Sequence, residues 1–281
     1  MAGENLWRYG DPLLEGAVGT RIALISSEIG LNRSANLARV LDGVDRAAEA
    51  GASLVLFPEA ASGLTNNDHP PHDLLLGEPI PGPVTERIAA EAARLNVFVG
   101  LGLLEREGER GKGRLYDSAV LFDSKGRICL KYRRVSTGWH GRRADPDVYR
   151  QGSDIPHADT SLGRIAFLVC GDLFDEDVVR RVRLLEADLL LFPFARCFGS
   201  EVNAPEEWER VEKNAYAARA AAANTSTLMV NYVGTPEIND TSFGGALAVG
   251  PDGQILASLP VGSPGMLLVD LDLNVRHALP E

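Results

Sequence analysis

Three reactive side chains stand at or near the carboxyl ends of apolar segments that have the composition of buried strands. Cys170 ends the segment 165–169, Glu59 follows the segment 52–57, and Lys131 lies near the end of a third. A thiol, a carboxyl and an ammonium group together supply a nucleophile, a proton carrier and a positive charge for an oxyanion. Because ligands of open α/β folds bind in the crevice beyond the carboxyl ends of strands, these positions favour a catalytic site.

Each of the three residues also has an ordinary structural explanation. A cysteine at a strand end is more often a packing residue, Glu59 alone fits a solvated loop carboxylate, and Lys131 alone fits a strand-edge lysine. Two features favour a catalytic role for Glu59 and Lys131. Pro58 stops ladder pairing just before the acid, in a partly apolar setting that raises the pKa of a carboxyl group. Only four of the 28 basic residues are lysines, so a lysine at position 131 indicates a need for a compact ammonium group.

Taken together, these residues resemble the catalytic set of the nitrilase, or carbon–nitrogen hydrolase, superfamily. The family's three motifs occur in order as Phe-Pro-Glu at 57–59, Lys-Tyr-Arg at 131–133 and Val-Cys-Gly-Asp-Leu at 169–173. The resemblance extends from residue 22 to about residue 272. It implies a four-layer α-β-β-α sandwich of two mixed sheets, and we expect a single carbon–nitrogen hydrolase domain over residues 1–281. It also implies assembly into a homodimer or a higher even oligomer.

The resemblance assigns a role to each member of this triad. Cys170 attacks an amide carbonyl as a thiolate, and Glu59 takes the thiol proton and delivers it to the leaving nitrogen. Lys131 and the backbone N–H of Gly171 hold the tetrahedral oxyanion, and water then hydrolyses the thioester. This chemistry needs neither a metal nor a cofactor.

The family also carries a second glutamate on a lid between the lysine and the cysteine, ahead of an aromatic–x–x–Gly segment. Here that segment is 149–152, and the matching acid is Asp145, with Asp147 nearby. Aspartate is one methylene shorter than glutamate. We therefore expect the contact of this acid with Lys131 to be lost or made differently.

The residues around the nucleophile indicate which class of substrate the site accepts. Nitrile-hydrolysing members tend to carry Trp-Glu after the cysteine, whereas this chain has Gly-Asp at 171–172. The stretch 173–176 is acidic rather than basic, which disfavours an anionic substrate bound there. Phe194, Ala195 and Arg196 follow a strand and are expected to line the pocket. Arg196 is the best remaining ligand for an anion, although a structural ion pair explains it equally well.

The leading hypothesis is an amidase that releases ammonia from a small-molecule carboxamide. Two other hydrolases remain open: an N-carbamoyl (ureido) hydrolase, and a glutaminase acting in trans, which Gly-Gly at 244–245 after Asn-Asp at 239–240 loosely supports. A catalytically silent scaffold is the non-enzyme alternative. It predicts that Cys170 reacts with iodoacetamide no faster than Cys129 or Cys197.

The composition excludes several other classes of function. A net charge of −11 with interspersed signs argues against a nucleic-acid partner. No apolar stretch is long enough to span a membrane, and the first ten residues do not resemble a signal peptide. Three cysteines without a CxxC pair fit a cytoplasmic protein, and the five histidines show no metal-ligand spacing. The basic positions 133–134 and 142–143 are expected at the site entrance or a subunit contact.

Hydrophobic periodicity predicts the elements that position these residues. Early alternation of strands and helices, with hairpins late in the chain, favours an α/β layered fold. The segment around His69 and His72 has the composition of a loop with surface histidines. Helices are expected at 35–50 (capped by Ser34, with Gly51 after its end), 83–95, 175–187 and 205–223. Strands are expected at 21–26, 97–103, 116–122, 127–132, 189–192, 227–232, 245–249, 255–258 and 265–270, besides those that precede Glu59 and Cys170.

Overall fold

A computed structural model of the protein describes residues 5–9, 19–63, 69–140, 144–199, 201–235 and 241–273. Within these ranges the strands are β1 Asn5–Tyr9, β2 Thr20–Ser26, β3 Leu54–Leu56, β4 Phe98–Glu107, β5 Arg114–Phe122, β6 Ile128–Arg133, β7 Tyr149–Arg150, β8 His157–Thr160, β9 Gly163–Phe167, β10 Leu189–Phe194, β11 Ser226–Asn231, β12 Ala246–Val249, β13 Ile255–Leu259 and β14 Gly265–Leu271. The helices are α1 Arg33–Glu49, α2 Pro70–Leu76, α3 Pro83–Leu95, α4 Glu176–Arg183, α5 Ala204–Glu207 and α6 Lys213–Ala223. None of the helices in the described ranges is both long and apolar enough to cross a membrane.

The strands form two mixed sheets. The first has the order β1-β14-β2-β3-β4-β5-β6 with β7 paired to β5, and the second has the order β13-β12-β11-β10-β9-β8. Strands β2, β3 and β4 run parallel in the first sheet, and β9, β10 and β11 run parallel in the second. Since parallel strands end at the same edge, the segments that follow β3 and β9 each leave a sheet at its carboxyl edge.

The two sheets pack face to face, with β4 against β10 and β2 against β11. Helices α1 and α3 cover the outer face of the first sheet, and α4 and α6 cover the second. The predicted four-layer α-β-β-α sandwich is therefore confirmed. The inner layer is apolar, with Leu56, Phe167 and Leu191 fully buried, and each such side chain contributes about 1.5–3 kcal/mol by leaving water.

Most predicted elements are present, and several differ from the prediction: β1 was not predicted, and the helix expected at 205–223 is divided into α5 and α6 by a π-helical segment at 208–212. Helix α1 begins earlier than expected, because the side chain of Asn32, not Ser34, accepts a hydrogen bond from the Ala35 amide at 3.1 Å. Gly51 follows its end at φ +81°, as expected for a left-handed cap. The segment expected as a loop around His72 is helix α2, whose first turn accommodates prolines. The short strands β7 and β8 carry too few residues to show a pattern.

Candidate active site

Cys170 occupies a strained turn between β9 and α4. Its φ is +47°, a left-handed conformation that costs a residue other than glycine about 1–2 kcal/mol. The residue opens a 3₁₀ turn, Cys170–Phe174, and its partly exposed thiol donates to the Ala195 carbonyl at 3.5 Å. Such strain persists only where surrounding contacts impose it, as at an active site.

Asp172 provides those contacts. This buried carboxylate accepts hydrogen bonds from the amides of Val169 at 2.9 Å, Ser136 at 2.7 Å and Val135 at 3.2 Å. It also accepts from the Tyr132 hydroxyl at 2.7 Å. Asp172 thus fastens the turn that carries Cys170 to the segment that follows β6. The sequence motif contains this residue, but only the structure shows its partners.

Glu59 is held at the end of β3 by close backbone contact with β4. The Gly102 amide donates to the Pro58 carbonyl at 3.1 Å, and the Ala61 amide donates to the Gly102 carbonyl at 3.0 Å. A Cβ atom at position 102 would lie 2.6 Å from the Glu59 Cα, so only glycine fits there. The Glu59 side chain is 12% exposed, and its Oε2 atom has no hydrogen-bond partner among the described residues.

The cation beside Glu59 is Arg134. Its side chain is 6% exposed, and its Nη1 atom lies 3.2 Å from Asp117 Oδ2 and 3.8 Å from Glu59 Oε1. Its Nε atom donates to Ser136 Oγ at 2.9 Å. A Cβ atom at Gly171 would lie 2.2 Å from Arg134 Nη2, so the guanidinium packs directly on the turn after the cysteine. The structure therefore places Glu59, a guanidinium and the nucleophile turn together.

The charges in this cluster alter its acid–base behaviour. Burial, followed by the charges of Asp117 and Cys170, raises the pKa of Glu59 well above its usual range, and the positive charge of Arg134 opposes that rise. Burial likewise raises the pKa of Asp117, against the attraction of Arg134. Burial alone would lower the pKa of Arg134, but the surrounding negative groups raise it, so it stays charged. The site thus holds a carboxyl group whose protonated form is favoured relative to that of an exposed glutamate.

Lys131 does not join this cluster, which corrects the sequence prediction. Its Nζ atom donates to Glu105 Oε1 at 2.8 Å, and its side chain is 36% exposed. Successive strand residues point to opposite faces, and the next residue, Tyr132, points inward to Asp172. Lys131 therefore lies on the outer face of the first sheet. The buried positions Leu130 and Tyr132 were the signal in the sequence that Lys131, between them, points outward.

The expected lid acid also lies apart. Asp145 is exposed, and its carboxylate accepts from the Asp147 amide at 2.9 Å, while its carbonyl accepts from the Tyr149 amide at 2.9 Å. These contacts stabilise its own turn. The structure brings it into no described contact with Lys131 or Arg134. The predicted basic positions 142–143 and the Asn-Asp pair at 239–240 lie outside the described residues.

The three residues expected to line the pocket have different surroundings in the structure. Phe194 is buried in an aromatic cluster with Trp208 and Tyr216, at ring distances of 6.5 and 5.1 Å. The Ala195 carbonyl accepts a hydrogen bond from the Cys170 thiol at 3.5 Å. Arg196 pairs with Glu212 at 3.1 Å, so the ion-pair alternative describes it better than a free anion ligand.

Comparison with known proteins decides the family. The family model described as carbon–nitrogen hydrolase matches residues 21–281. The chain belongs to this family. It is therefore a hydrolase that acts on non-peptide carbon–nitrogen bonds, and it has relatives in the nitrilase superfamily.

Its relatives include several amidases. Deaminated glutathione amidase of Mus musculus is 26% identical over 261 residues, which cover 89% of this chain and 78% of that protein. The chloroplastic omega-amidase of Arabidopsis thaliana is 24% identical, with 92% and 70% covered. A mutant of the Nesterenkonia AN1 amidase, from the nitrilase superfamily, superposes with a TM-score of 0.73 at 24% identity, covering 92% and 93% of the two chains. That likeness shows a shared fold.

Proposed function

We propose that this carbon–nitrogen hydrolase is an amidase that releases ammonia from a small carboxamide through a thioester on Cys170. The observation that carries the proposal is the buried Glu59 carboxyl, held at a raised pKa beside Cys170 and Arg134. That combination provides a nucleophile, a proton carrier and a fixed positive charge in one crevice. The role first predicted for Lys131 passes to Arg134.

In the first half-reaction, the Cys170 thiol passes its proton to ionised Glu59 while the sulfur attacks the amide carbonyl carbon. The carbonyl oxygen becomes an oxyanion that the Arg134 guanidinium and the Gly171 N–H stabilise. Donors of this kind contribute about 3–4 kcal/mol each to transition-state stabilisation. Since a guanidinium keeps its proton at any physiological pH, Arg134 contributes charge and hydrogen bonds only.

In the second half-reaction, protonated Glu59 gives its proton to the leaving nitrogen, and the carbon–nitrogen bond breaks to release ammonia. A thioester remains on Cys170. The ionised Glu59 then takes a proton from water as the water oxygen attacks the thioester carbon. Breakdown of that adduct frees the carboxylic acid, and the thiolate recovers the proton from Glu59.

The surroundings of the nucleophile favour a neutral substrate. Phe194, which precedes the Ala195 carbonyl that contacts Cys170, is packed with Trp208 and Tyr216 in an aromatic cluster, and Arg196 is already paired with Glu212. A ureido acid would need a free cation for its carboxylate. The Nesterenkonia amidase has been crystallised with acrylamide and butyramide, which are small neutral carboxamides. We therefore favour a simple carboxamide over the N-carbamoyl and glutamine alternatives.

Assembly and location complete the proposal. The side chains of Leu184, 78% exposed, and Phe174, 42% exposed, lie at or beside α4 on the outside of the second sheet. Exposed apolar side chains of this size support pairing of two copies. We propose a cytoplasmic homodimer or higher even oligomer, with residues 1–281 as one domain. The mass of the assembly in solution, measured by light scattering, tests the pairing.

The test of activity is ammonia release from a panel of carboxamides, ureido acids, glutamine and nitriles. We expect carboxamide turnover that falls by at least about 10³-fold in Cys170→Ala. Cys129→Ala is the matched control, because Cys129 lies on β6 with its thiol bonded to the Leu121 carbonyl, and it should keep full activity. Turnover of ureido acids alone would identify a carbamoylase instead. No turnover together with slow alkylation of Cys170 would leave a silent scaffold.

A further inference from the structure

Asp117 is a second buried carboxyl in the cluster, and it comes from the middle of a strand rather than from its end. Its side chain is 7% exposed and lies on the inner face of β5. It holds Arg134 twice: its Oδ2 atom lies 3.2 Å from Arg134 Nη1, and its carbonyl accepts from the Arg134 amide at 2.8 Å. Two such contacts fix both the backbone and the guanidinium of that arginine.

The cluster has more acid than base. The Nη1 atom of Arg134 lies 3.8 Å from Glu59 Oε1 and 3.2 Å from Asp117 Oδ2, so two buried carboxyls meet at one cation. Two buried carboxylates beside a single cation do not both ionise easily, which favours one proton shared between them.

Among the described residues, the other titratable groups around the pair add no second cation. They are the Cys170 thiol and the Asp172 carboxyl, which act on Arg134, and the Tyr216 hydroxyl, whose pKa the charge of Glu59 helps to raise. Asp172 is already occupied by the hydroxyl of Tyr132 and three amides. A carboxylate that only neutralised Arg134 would be redundant beside Glu59.

We propose that Asp117 is a positioning residue that aims the Arg134 guanidinium at the nucleophile turn and shares one proton with Glu59. The acid–base unit of the reaction is then the Glu59–Asp117 pair rather than Glu59 alone. This inference rests on the proposed function of the site.

The test is the pH dependence of kcat and KM in Asp117→Asn. We expect kcat to fall about 10- to 100-fold, because small displacements of a reacting geometry cost that much, with KM little changed. The acid limb of kcat/KM should move to lower pH, because Glu59 loses a neighbouring negative charge and ionises more easily. Asp159→Asn, which breaks the Arg164–Asp159 pair on β8 and β9, is the matched control and should move neither quantity.

Asp117→Glu separates the two roles. It keeps the negative charge but not the reach, so kcat should fall while the acid limb stays in place. A fall in kcat with an unmoved acid limb in Asp117→Asn would reduce Asp117 to a structural role. Full activity in either variant would overturn the proposal.

The rate of iodoacetamide labelling at Cys170 gives a readout without any amide substrate. If the labelling rate of the wild-type protein falls at acidic pH, and Asp117→Asn moves this fall to lower pH, the Glu59–Asp117 pair is present even if no amide in the panel is hydrolysed. If the wild-type protein hydrolyses amides but its labelling profile is the same in Asp117→Asn, the pair is wrong and the amidase stands.

Discussion

The two faces of the first sheet carry ion clusters built from neighbouring residues, and they behave in opposite ways. On the inner face, two carboxyls, Glu59 and Asp117, meet one cation, Arg134. On the outer face, Glu105 accepts from Lys131 at 2.8 Å and from Arg133 at 2.7 Å. The two inner carboxyls thus share one cation, whereas Glu105 accepts from two cations, of which Arg133 also pairs with Glu107 at 3.1 Å.

The pKa values follow this ratio. Burial disfavours the charge of Glu105, but hydrogen bonds from Arg133, Lys131 and Ser118 outweigh it and lower its pKa. At Glu59, burial and the charges of Asp117 and Cys170 raise the pKa, and a single guanidinium does not compensate. Burial alone therefore does not mark a catalytic carboxyl. The balance between donors and carboxylates separates a proton carrier from a structural ion pair.

Removal of one cation from each face should have the largest and most unequal effects on catalysis. We expect Arg134→Met to lower kcat by about 10²–10³-fold, because the oxyanion loses its charged donor. Lys131→Met should leave kcat within about twofold, since Lys131 pairs with Glu105 on the outer face of the sheet, away from the crevice. Ammonia release from the best carboxamide measures both. Equal losses in the two variants would contradict the assignment of the faces.

Alkylation compares two cysteines, one at the inner crevice and one on β6. Burial and the charge of Asp123 raise the pKa of Cys129 to about 12, so little thiolate forms there at pH 8. Cys170 is partly exposed in the crevice and should label at least about 10-fold faster, since thiolate character and exposure govern reactivity. Mass spectrometry of peptides after timed iodoacetamide treatment measures the ratio. Comparable rates would count against a nucleophilic role for Cys170.

The smallest expected effect is on stability. Replacing Glu59 and replacing Glu105 by glutamine should change Tm at pH 8 in opposite directions. The pKa of Glu59 is raised on folding, so the stability associated with it is present at low pH and is lost as pH rises through its folded pKa. Glu59→Gln removes that loss and should raise Tm at pH 8, by roughly 2–4 °C for each kcal/mol gained. The gain should shrink at pH 5.

Glu105→Gln is the matched variant on the outer face. The lowered pKa of Glu105 contributes stability that is present above its unfolded value, roughly pH 4.3, and lost as pH falls through the folded value. This variant should lose about 1–3 kcal/mol at pH 8, because two cations lose a charged acceptor. Thermal melts of Glu59→Gln and Glu105→Gln at pH 5 and pH 8 measure both changes in Tm. A fall in Tm for Glu59→Gln at pH 8 would mean that its carboxylate is stabilised after all.

Much of the fold was predictable because its signals are local. The helix at 83–95 was predicted at the bounds of α3, since Pro83 suits a first turn and Ile88 and Ala92 recur at helical spacing. The strands before Glu59 and Cys170 were predicted from apolar runs. Helix α2 was not, because two prolines and two histidines within four residues resemble a loop until Leu74 and Leu76 find a buried face.

Within the site, sequence reasoning selected Glu59, Cys170 and Lys131, but the structure places Arg134 rather than Lys131 beside Glu59. Lys131 and Arg134 are only three positions apart, but they lie on opposite faces of the sheet. Lys131 contacts Glu105 on the outer face, and Arg134 lies beside Glu59 in the crevice. The same limit applies to Arg196, whose partner Glu212 lies 16 positions away, and to Asp117, whose partners come from two other segments.

The layered fold, the family and the two reactive residues at strand ends, Glu59 and Cys170, could be predicted from the sequence, because periodicity and motif order are properties of neighbours along the chain. Which cation faces Glu59, and how many carboxyls that cation must neutralise, became apparent only in the folded protein. Those are properties of neighbours in space, where a shift of one position along β6 moves a side chain to the other face of the sheet.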